Sequence, residues 1–204
     1  MLNIQKSPEP DFLQRFIRFQ KPKNWDDFTP EIKQQIKETI LEKEQNINED
    51  CICVYCERII NFVQSHIEHI KPKDKYPQCF KSFDNLSVSC NCQVTCGHKK
   101  GNLYDAKFIN PIHDNPHLFM TYEISTGKII PKDNSYEEMV NYTCKILNLN
   151  ENAELLNARK IVLMQLIDSG NNAIDWIDYY NEFSSLILFY KQEILQILTS
   201  NNNL

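Results

Sequence analysis

Apolar residues recur at helical spacing over several stretches of the chain and lose that spacing between residues 51 and 107. The first clear stretch is FTPEIKQQIKETILEKEQN. Thr29 can cap it, Pro30 suits the first helical position, and Ile32, Ile36, Ile40 and Leu41 fall on one face. Residues 1–30 show no sustained period and are expected to be extended or loop structure with room for one short helix. Beyond the aperiodic region, YEISTGKII places a Thr-Gly turn between two short apolar runs, which predicts a small hairpin inside residues 108–134. Ser135 and Glu138 form a capping-box pattern for a helix facing inward through Met139, Tyr142, Thr143 and Ile146. A second helix is expected from Glu151 to Asp168, with Leu155, Ala158, Val162 and Leu166 inward and Ser169-Gly170 as its stop. Steps of three and four then link Trp176, Tyr180, Phe183, Ile187, Tyr190, Ile194 and Leu198 into the stripe of a last helix. That stripe serves to pack the C-terminal helices and is able to present part of itself to a partner helix.

The picture is an α+β, mostly helical chain. An N-terminal segment (1–50), a compact module (51–107), a loop and hairpin (108–134) and a C-terminal helical bundle (135–204) follow one another. Four glycines in 204 residues agree with helix, and 42% hydrophobic with 24% charged residues excludes wholesale disorder. No stretch approaches the roughly 18 uninterrupted apolar residues of a membrane span. With no apolar leader in MLNIQKSPEPDF either, the expectation is a cytoplasmic protein without a membrane partner.

Cysteine changes the picture most. Seven of the eight cysteines lie between Cys51 and Cys96. Without a secretion signal, such a cluster is better explained by metal than by disulfides. CVYC supplies Cys53 and Cys56, and SCNCQVTC supplies Cys90, Cys92 and Cys96. A tight Cys-x-x-Cys turn points two sulfurs at one tetrahedral centre, and a second, looser turn, in which three cysteines compete for two places, completes the four-coordinate shell of structural zinc. Cys90 and Cys96, flanking a loop able to close on the metal, complete the expected quartet. Cys92 is the alternative ligand, and Cys51, Cys79 and Cys144 are bystanders. Within the module the expected order is a knuckle, a strand near 63–69, the loop KPKDKYPQCFKSFDN, a second strand LSVS, and a helix near the second knuckle.

Zinc held by four thiolates has no open position, so any catalysis needs a second centre. HIEH offers one. On a strand His66 and Glu68 share a face, while His69 ends the strand pointing the other way. Glu68 can then ligate a hard cation, with His66 as a further candidate ligand, and His69 keeps a free imidazole. Cutting a phosphodiester uses that division, a cation for the phosphate charge and a neutral base for the attacking water. Asn85 is placed to fix His69 or its loop, and His98, just after the second knuckle, to come near Glu68. Carboxylate, imidazole and water suit Mg²⁺ or Mn²⁺. Net charge is -5, yet residues 66–107 carry seven Lys against four acids, a local excess of +3. Phosphates respond to charge within a Debye length of about 10 Å, so Lys71, Lys73, Lys99 and Lys100 are the expected nucleic-acid contacts.

The order CVYC, IEHIKP, DNL, SCNCQVTCGHKKGN resembles the HNH endonucleases. Their ββα-metal fold carries an acid-His pair on the first strand, an Asn in the loop and a His on the helix. The resemblance covers residues 53 to 102 and implies Glu68 as metal ligand, His69 as general base, Asn85 as orienting residue and His98 as second metal ligand. Two features depart from the family pattern. Glu68 stands where many relatives have Asp, and Gly97 separates Cys96 from His98 where many have the pair adjacent. A helix ending in Gln before the first knuckle, then EHIKPK, NLSVSCN and CGHKKG, is similar to the HNH subunit of Septu-type antiphage systems and related retron effectors. That likeness implies an ABC-type ATPase partner. The expected activity is hydrolysis of nucleic acid, DNA before RNA such as tRNA. The rival is a zinc-stapled binding or scaffold subunit with an inert centre.

Overall fold

The computed structural model describes residues 1–168 and 180–201, the side chains of residues 194–201 excepted. The expected turn at Ser169-Gly170, Trp176, and the side chains of Ile194 and Leu198 lie outside what is described. The described chain mixes helices with short antiparallel strand pairs. Helix α1 (Asp11–Gln20) fills the one-helix allowance of the N-terminal segment and buries Leu13. Helix α2 (Pro30–Lys43) starts where cap and ring dictate: Thr29 Oγ1 accepts from the Ile32 amide at 3.4 Å and Pro30 needs no donor. Its inner face holds Ile36, Ile40 and Leu41, together with Lys37. The Lys37 stem runs along the buried face, its ammonium lies over the Phe62 ring, and it donates to the carbonyls of Phe62 and Ser65. A helix face is thus pinned to the start of a strand.

After a two-residue strand pair, β1 (Asn46–Ile47) with β2 (Asp50–Cys51), comes the hairpin that organises the module. Strand β3 (Ser65–His69) pairs antiparallel with β4 (Leu86–Cys90) in the register Ser65↔Cys90, Glu68↔Ser87, His69↔Leu86. Gln45, buried at the end of α2, fixes this hairpin to the first knuckle. Its amide nitrogen donates to the carbonyls of Ile52 (2.6 Å) and Val88 (2.8 Å), and its oxygen accepts from the Val88 amide (2.7 Å). Helix α3 (Cys96–Lys100) follows β4 after a short loop and packs back on it.

A short helix α4 (Pro116–Phe119) leads into β5 (Met120–Tyr122), which pairs with β6 (Ile129–Pro131) as the hairpin read from the Thr-Gly turn. Gly127 there has φ +71°, which a side chain would resist. Helix α5 (Glu137–Leu147) corrects the expected capping box. Ser135 lies in a 3₁₀ turn and donates its hydroxyl to Asp133 (2.6 Å), whose carboxylate also takes the Ser135 amide, and Glu138 turns outward to Lys107. The buried face runs through Val140, Thr143, Cys144, Ile146 and Leu147, because α5 is covered by both β6 and α3 and so buries a wider arc than one stripe. Helix α6 (Ala153–Asp168) buries Leu155, Val162 and Leu166 as expected, with Arg159 beside them donating to the Leu149 carbonyl at 2.9 Å.

The last helix, α7 (Ser184–Asn201), starts later than the stripe implies: Tyr180 precedes it and Phe183, at φ +57°, breaks the helical path. Its first turn is satisfied by Glu57, which follows the first knuckle. The Glu57 carboxylate accepts from the Ser185 amide (2.7 Å) and the hydroxyls of Ser184 and Ser185, and the Glu57 carbonyl accepts from the Phe183 amide (2.9 Å). An anion at a helix N-terminus meets both its unpaired donors and its dipole. Buried apolar residues from Met1 to Ile187 form one continuous cluster.

Candidate active site

The sulfurs of Cys53, Cys56, Cys90 and Cys96 all lie within 4.8 Å of one another. Four thiolates so arranged are the donor set of a tetrahedral zinc. The first pair comes from the CVYC turn; the second closes because Cys90 ends β4 and Cys96 opens α3 with φ +58°. Backbone donors support the sulfurs, the Cys90 amide approaching Cys53 Sγ at 3.3 Å. Cys92 is exposed on the intervening loop and outside the group, as are Cys51, Cys79 and Cys144.

Behind the cysteines, α3 lies against the face of β3 that carries His66 and Glu68. Ser89 Oγ accepts from the Gly97 amide at 3.1 Å and tethers the helix to β4. The approach is so close that a Cβ on Gly97 would stand 2.6 Å from Glu68 Oε2 and 2.7 Å from His66 Nε2. Glycine between Cys96 and His98 is therefore a steric requirement of this packing. Glu68 is 6% exposed, and its Oε2 lies 3.5 Å from His66 Nε2. His66 turns its Nδ1 to Asn91 Oδ1 (3.0 Å) and its ring meets that of His98 at 4.4 Å. A carboxylate oxygen and an imidazole nitrogen at this spacing, with a second, exposed imidazole beside them, are donors that a divalent cation such as Mg²⁺ or Mn²⁺ takes. Among the described residues, only the cysteines bring three or more such groups within 4.8 Å, so Glu68, His66 and His98 as they stand are not drawn together into one closed donor set.

His69 points to the other side of the strand. It is 8% exposed, edge-on to Trp25 with ring centroids 4.6 Å apart, and its Nε2 meets the Phe80 carbonyl at 3.0 Å. A carbonyl only accepts, so Nε2 carries the proton and Nδ1 keeps its lone pair. Burial pushes the pKa of the ring down to about 4, against the raising influence of the Phe80 carbonyl and of Glu68, so the ring is neutral at ordinary pH. Asn85 does not touch this ring. Its amide closes the loop that follows: Oδ1 accepts from the Lys71 amide (2.8 Å), and Nδ2 donates to the carbonyls of Lys71 (3.0 Å) and Cys79 (3.2 Å).

The lysines divide. Lys99 is exposed, and Lys71 and Lys73 are half-exposed. Lys100, read from the sequence as a phosphate contact, is 1% exposed and donates to Glu68 Oε1 (2.7 Å) and to the His69 carbonyl (3.2 Å). Adjacent residues on a helix point about 100° apart, so Lys99 can face solvent while Lys100 turns inward to Glu68. Tyr55 was also missed; its hydroxyl donates to the same oxygen of Glu68 at 3.0 Å. Its position between two ligand cysteines was the one available signal, since that turn fixes where the ring points.

Comparison with known proteins shows what the chain resembles. No protein-family model matches the chain. It is similar to two curated proteins, at low identity. One is "Septu protein PtuB" of Bacillus thuringiensis, 29% identical over 156 residues, which are 73% of this chain and 54% of that protein. The other is "Retron Vc95 putative HNH endonuclease" of Vibrio cholerae serotype O1 biovar El Tor, 25% identical over 163 residues, 74% of this chain and 77% of that protein. The match thus spans about half the length of the PtuB relative.

Proposed function

We propose that the chain is a metal-dependent HNH endonuclease of antiphage defence, hydrolysing phosphodiester bonds, with DNA as the favoured substrate. The observation that carries this reading is the placement of a neutral, tautomer-fixed His69 next in sequence to Glu68, whose face of β3 also receives His66 and, from α3, His98. In the ββα-metal layout that the resemblance implies, strands β3 and β4 and helix α3 would be the parts. A divalent cation held by Glu68, His66 and His98 would offset charge on the scissile phosphate and the leaving oxygen. His69 Nδ1 takes the proton of the attacking water while Nε2–H stays on the Phe80 carbonyl and holds the ring. Asn85 acts on the base indirectly, by closing the loop that begins at Lys71. Lys71, Lys73 and Lys99 are available to meet phosphates; Lys100 serves inside the site. The four cysteines hold structural zinc, which has no open position for substrate. By resemblance, the partner is an ABC-type ATPase subunit.

The test is incubation of purified protein, alone and with the ATPase, with plasmid DNA and with tRNA in Mn²⁺, Mg²⁺ or EDTA, beside His69→Ala. Cleavage of DNA that needs the metal and is lost in the variant supports the reading. Cleavage confined to tRNA moves the same centre to RNA. Binding without cleavage by any form makes the chain an inert zinc-stapled module.

A further inference from the structure

The two oxygens of Glu68 have different surroundings. Oε1 accepts from the Tyr55 hydroxyl (3.0 Å) and the Lys100 ammonium (2.7 Å), and both donors are buried. Among the described residues, Oε2 has His66 Nε2 at 3.5 Å and the close flank of Gly97 beside it. Each donor belongs to a different cysteine turn. Tyr55 sits between Cys53 and Cys56, and Lys100 closes the five-residue helix that Cys96 opens. Lys100 is itself fixed, since its ammonium also donates to the His69 carbonyl at 3.2 Å. The Tyr55 ring is held edge-on to Phe108 with centroids 6.2 Å apart. A glutamate has one more rotatable bond than an aspartate, so a glutamate ligand needs more outside restraint to present one oxygen.

We infer that Tyr55 and Lys100 are positioning residues which clamp one oxygen of Glu68 and leave the other as its ligand atom, so that the cysteine centre sets the geometry of the cation site. The inference rests on Glu68 being a cation ligand. It gives the zinc staple a second role. Besides joining two segments of chain, it sends one hydrogen-bond donor from each knuckle to the same carboxylate oxygen. Loss of the staple then weakens cation binding although the two centres share no ligand.

Tyr55→Phe removes one hydroxyl and keeps the ring, so it tests the clamp directly. Manganese affinity is measured by the electron paramagnetic resonance of free Mn²⁺ on the zinc-loaded full chain. The cysteine centre is followed by zinc content and by thiolate-to-metal absorption of the Co²⁺-substituted protein. The expected result is an unchanged cysteine centre with Mn²⁺ affinity reduced about tenfold, the usual size of such an effect on a supported ligand. The Mn²⁺ concentration for half-maximal cleavage should rise by the same factor, and the rate at saturating Mn²⁺ should stay near wild type. Unchanged Mn²⁺ affinity overturns the positioning role. So does a loss of affinity that appears only together with loss of the cobalt–thiolate absorption, because Tyr55 is then part of the scaffold alone. Glu68→Ala separates the two levels. If it leaves Mn²⁺ affinity intact, or if wild type binds no Mn²⁺, Glu68 is no ligand and the underlying reading fails with the inference. If it abolishes binding while Tyr55→Phe leaves Mn²⁺ affinity at the wild-type value, only the clamp is wrong.

Discussion

His66 and His69 stand on one five-residue strand, and their surroundings shift them in opposite directions. Burial works against charge on both rings. At His66 the hydrogen bonds to Glu68 and Asn91 outweigh it and raise the pKa, while at His69 it prevails and lowers the pKa to about 4. Groups pushed apart in this way suit different tasks, one beside charge and the other as a neutral base. Replacing His69 by Ala should lower the cleavage rate by about 10²–10⁴-fold, the usual contribution of a general base, with Mn²⁺ affinity within a few-fold of wild type; single-turnover rates and a metal titration check this. Loss of metal affinity equal to the loss of rate would instead make His69 a ligand. Gly97 gives a second prediction. The Cβ of Gly97→Ala would stand 2.6 Å from Glu68 Oε2, so either α3 or the carboxylate must move. The expected outcome is a loss of Mn²⁺ affinity of at least about tenfold with zinc content unchanged. The sequence could give residue types at this scale, but not contacts. HIEH showed which side chains share a face of a strand, because alternation is local. The pairing of Lys100 with Glu68 spans 32 positions and depends on how deeply α3 sits.

Helix α3 is too short to stand alone, since an isolated helix needs about 12–15 residues for even marginal stability. It begins at a cysteine of the quartet and is tethered by Ser89 to β4, so tertiary constraint substitutes for length. Helix α7 illustrates the opposite error of reading. Its apolar spacing extends back to Trp176, yet the described helix starts at Ser184, because Glu57 from a distant turn supplies the first-turn acceptor. Caps drawn from far along the chain leave no local signature, whereas the cap of α2, Thr29-Pro30, is local and was legible. Glu57→Gln should therefore destabilise the chain by roughly 1–3 kcal/mol, the cost of weakening a buried charged acceptor, and urea unfolding followed by circular dichroism measures it. A change within experimental error would mean that α7 does not depend on this cap.

Among the described residues, α2, the two knuckles, the β3–β4 hairpin and α3 converge on one small region, with His98 and Lys99 at its surface. The cysteine quartet was partly legible from spacing, because CVYC is a close pair and Cys90, Cys92 and Cys96 leave three candidates for the two remaining places; the exclusion of Cys92 needed the loop's path. If the quartet holds zinc, Cys90→Ser should lose stoichiometric metal and with it much of the thermal stability, while Cys92→Ser should keep both. Elemental analysis and thermal melts distinguish the two, and zinc retained in Cys90→Ser but lost in Cys92→Ser would reverse the assignment. No helix among the described residues is long and apolar enough to cross a membrane. The most direct test of the central claim is anomalous diffraction from crystals grown with zinc and soaked in Mn²⁺. The predicted result is zinc among Cys53, Cys56, Cys90 and Cys96 and manganese on Glu68 Oε2 with His66 and His98. Manganese absent from Glu68 in fully soaked crystals, or bound only elsewhere, would contradict it.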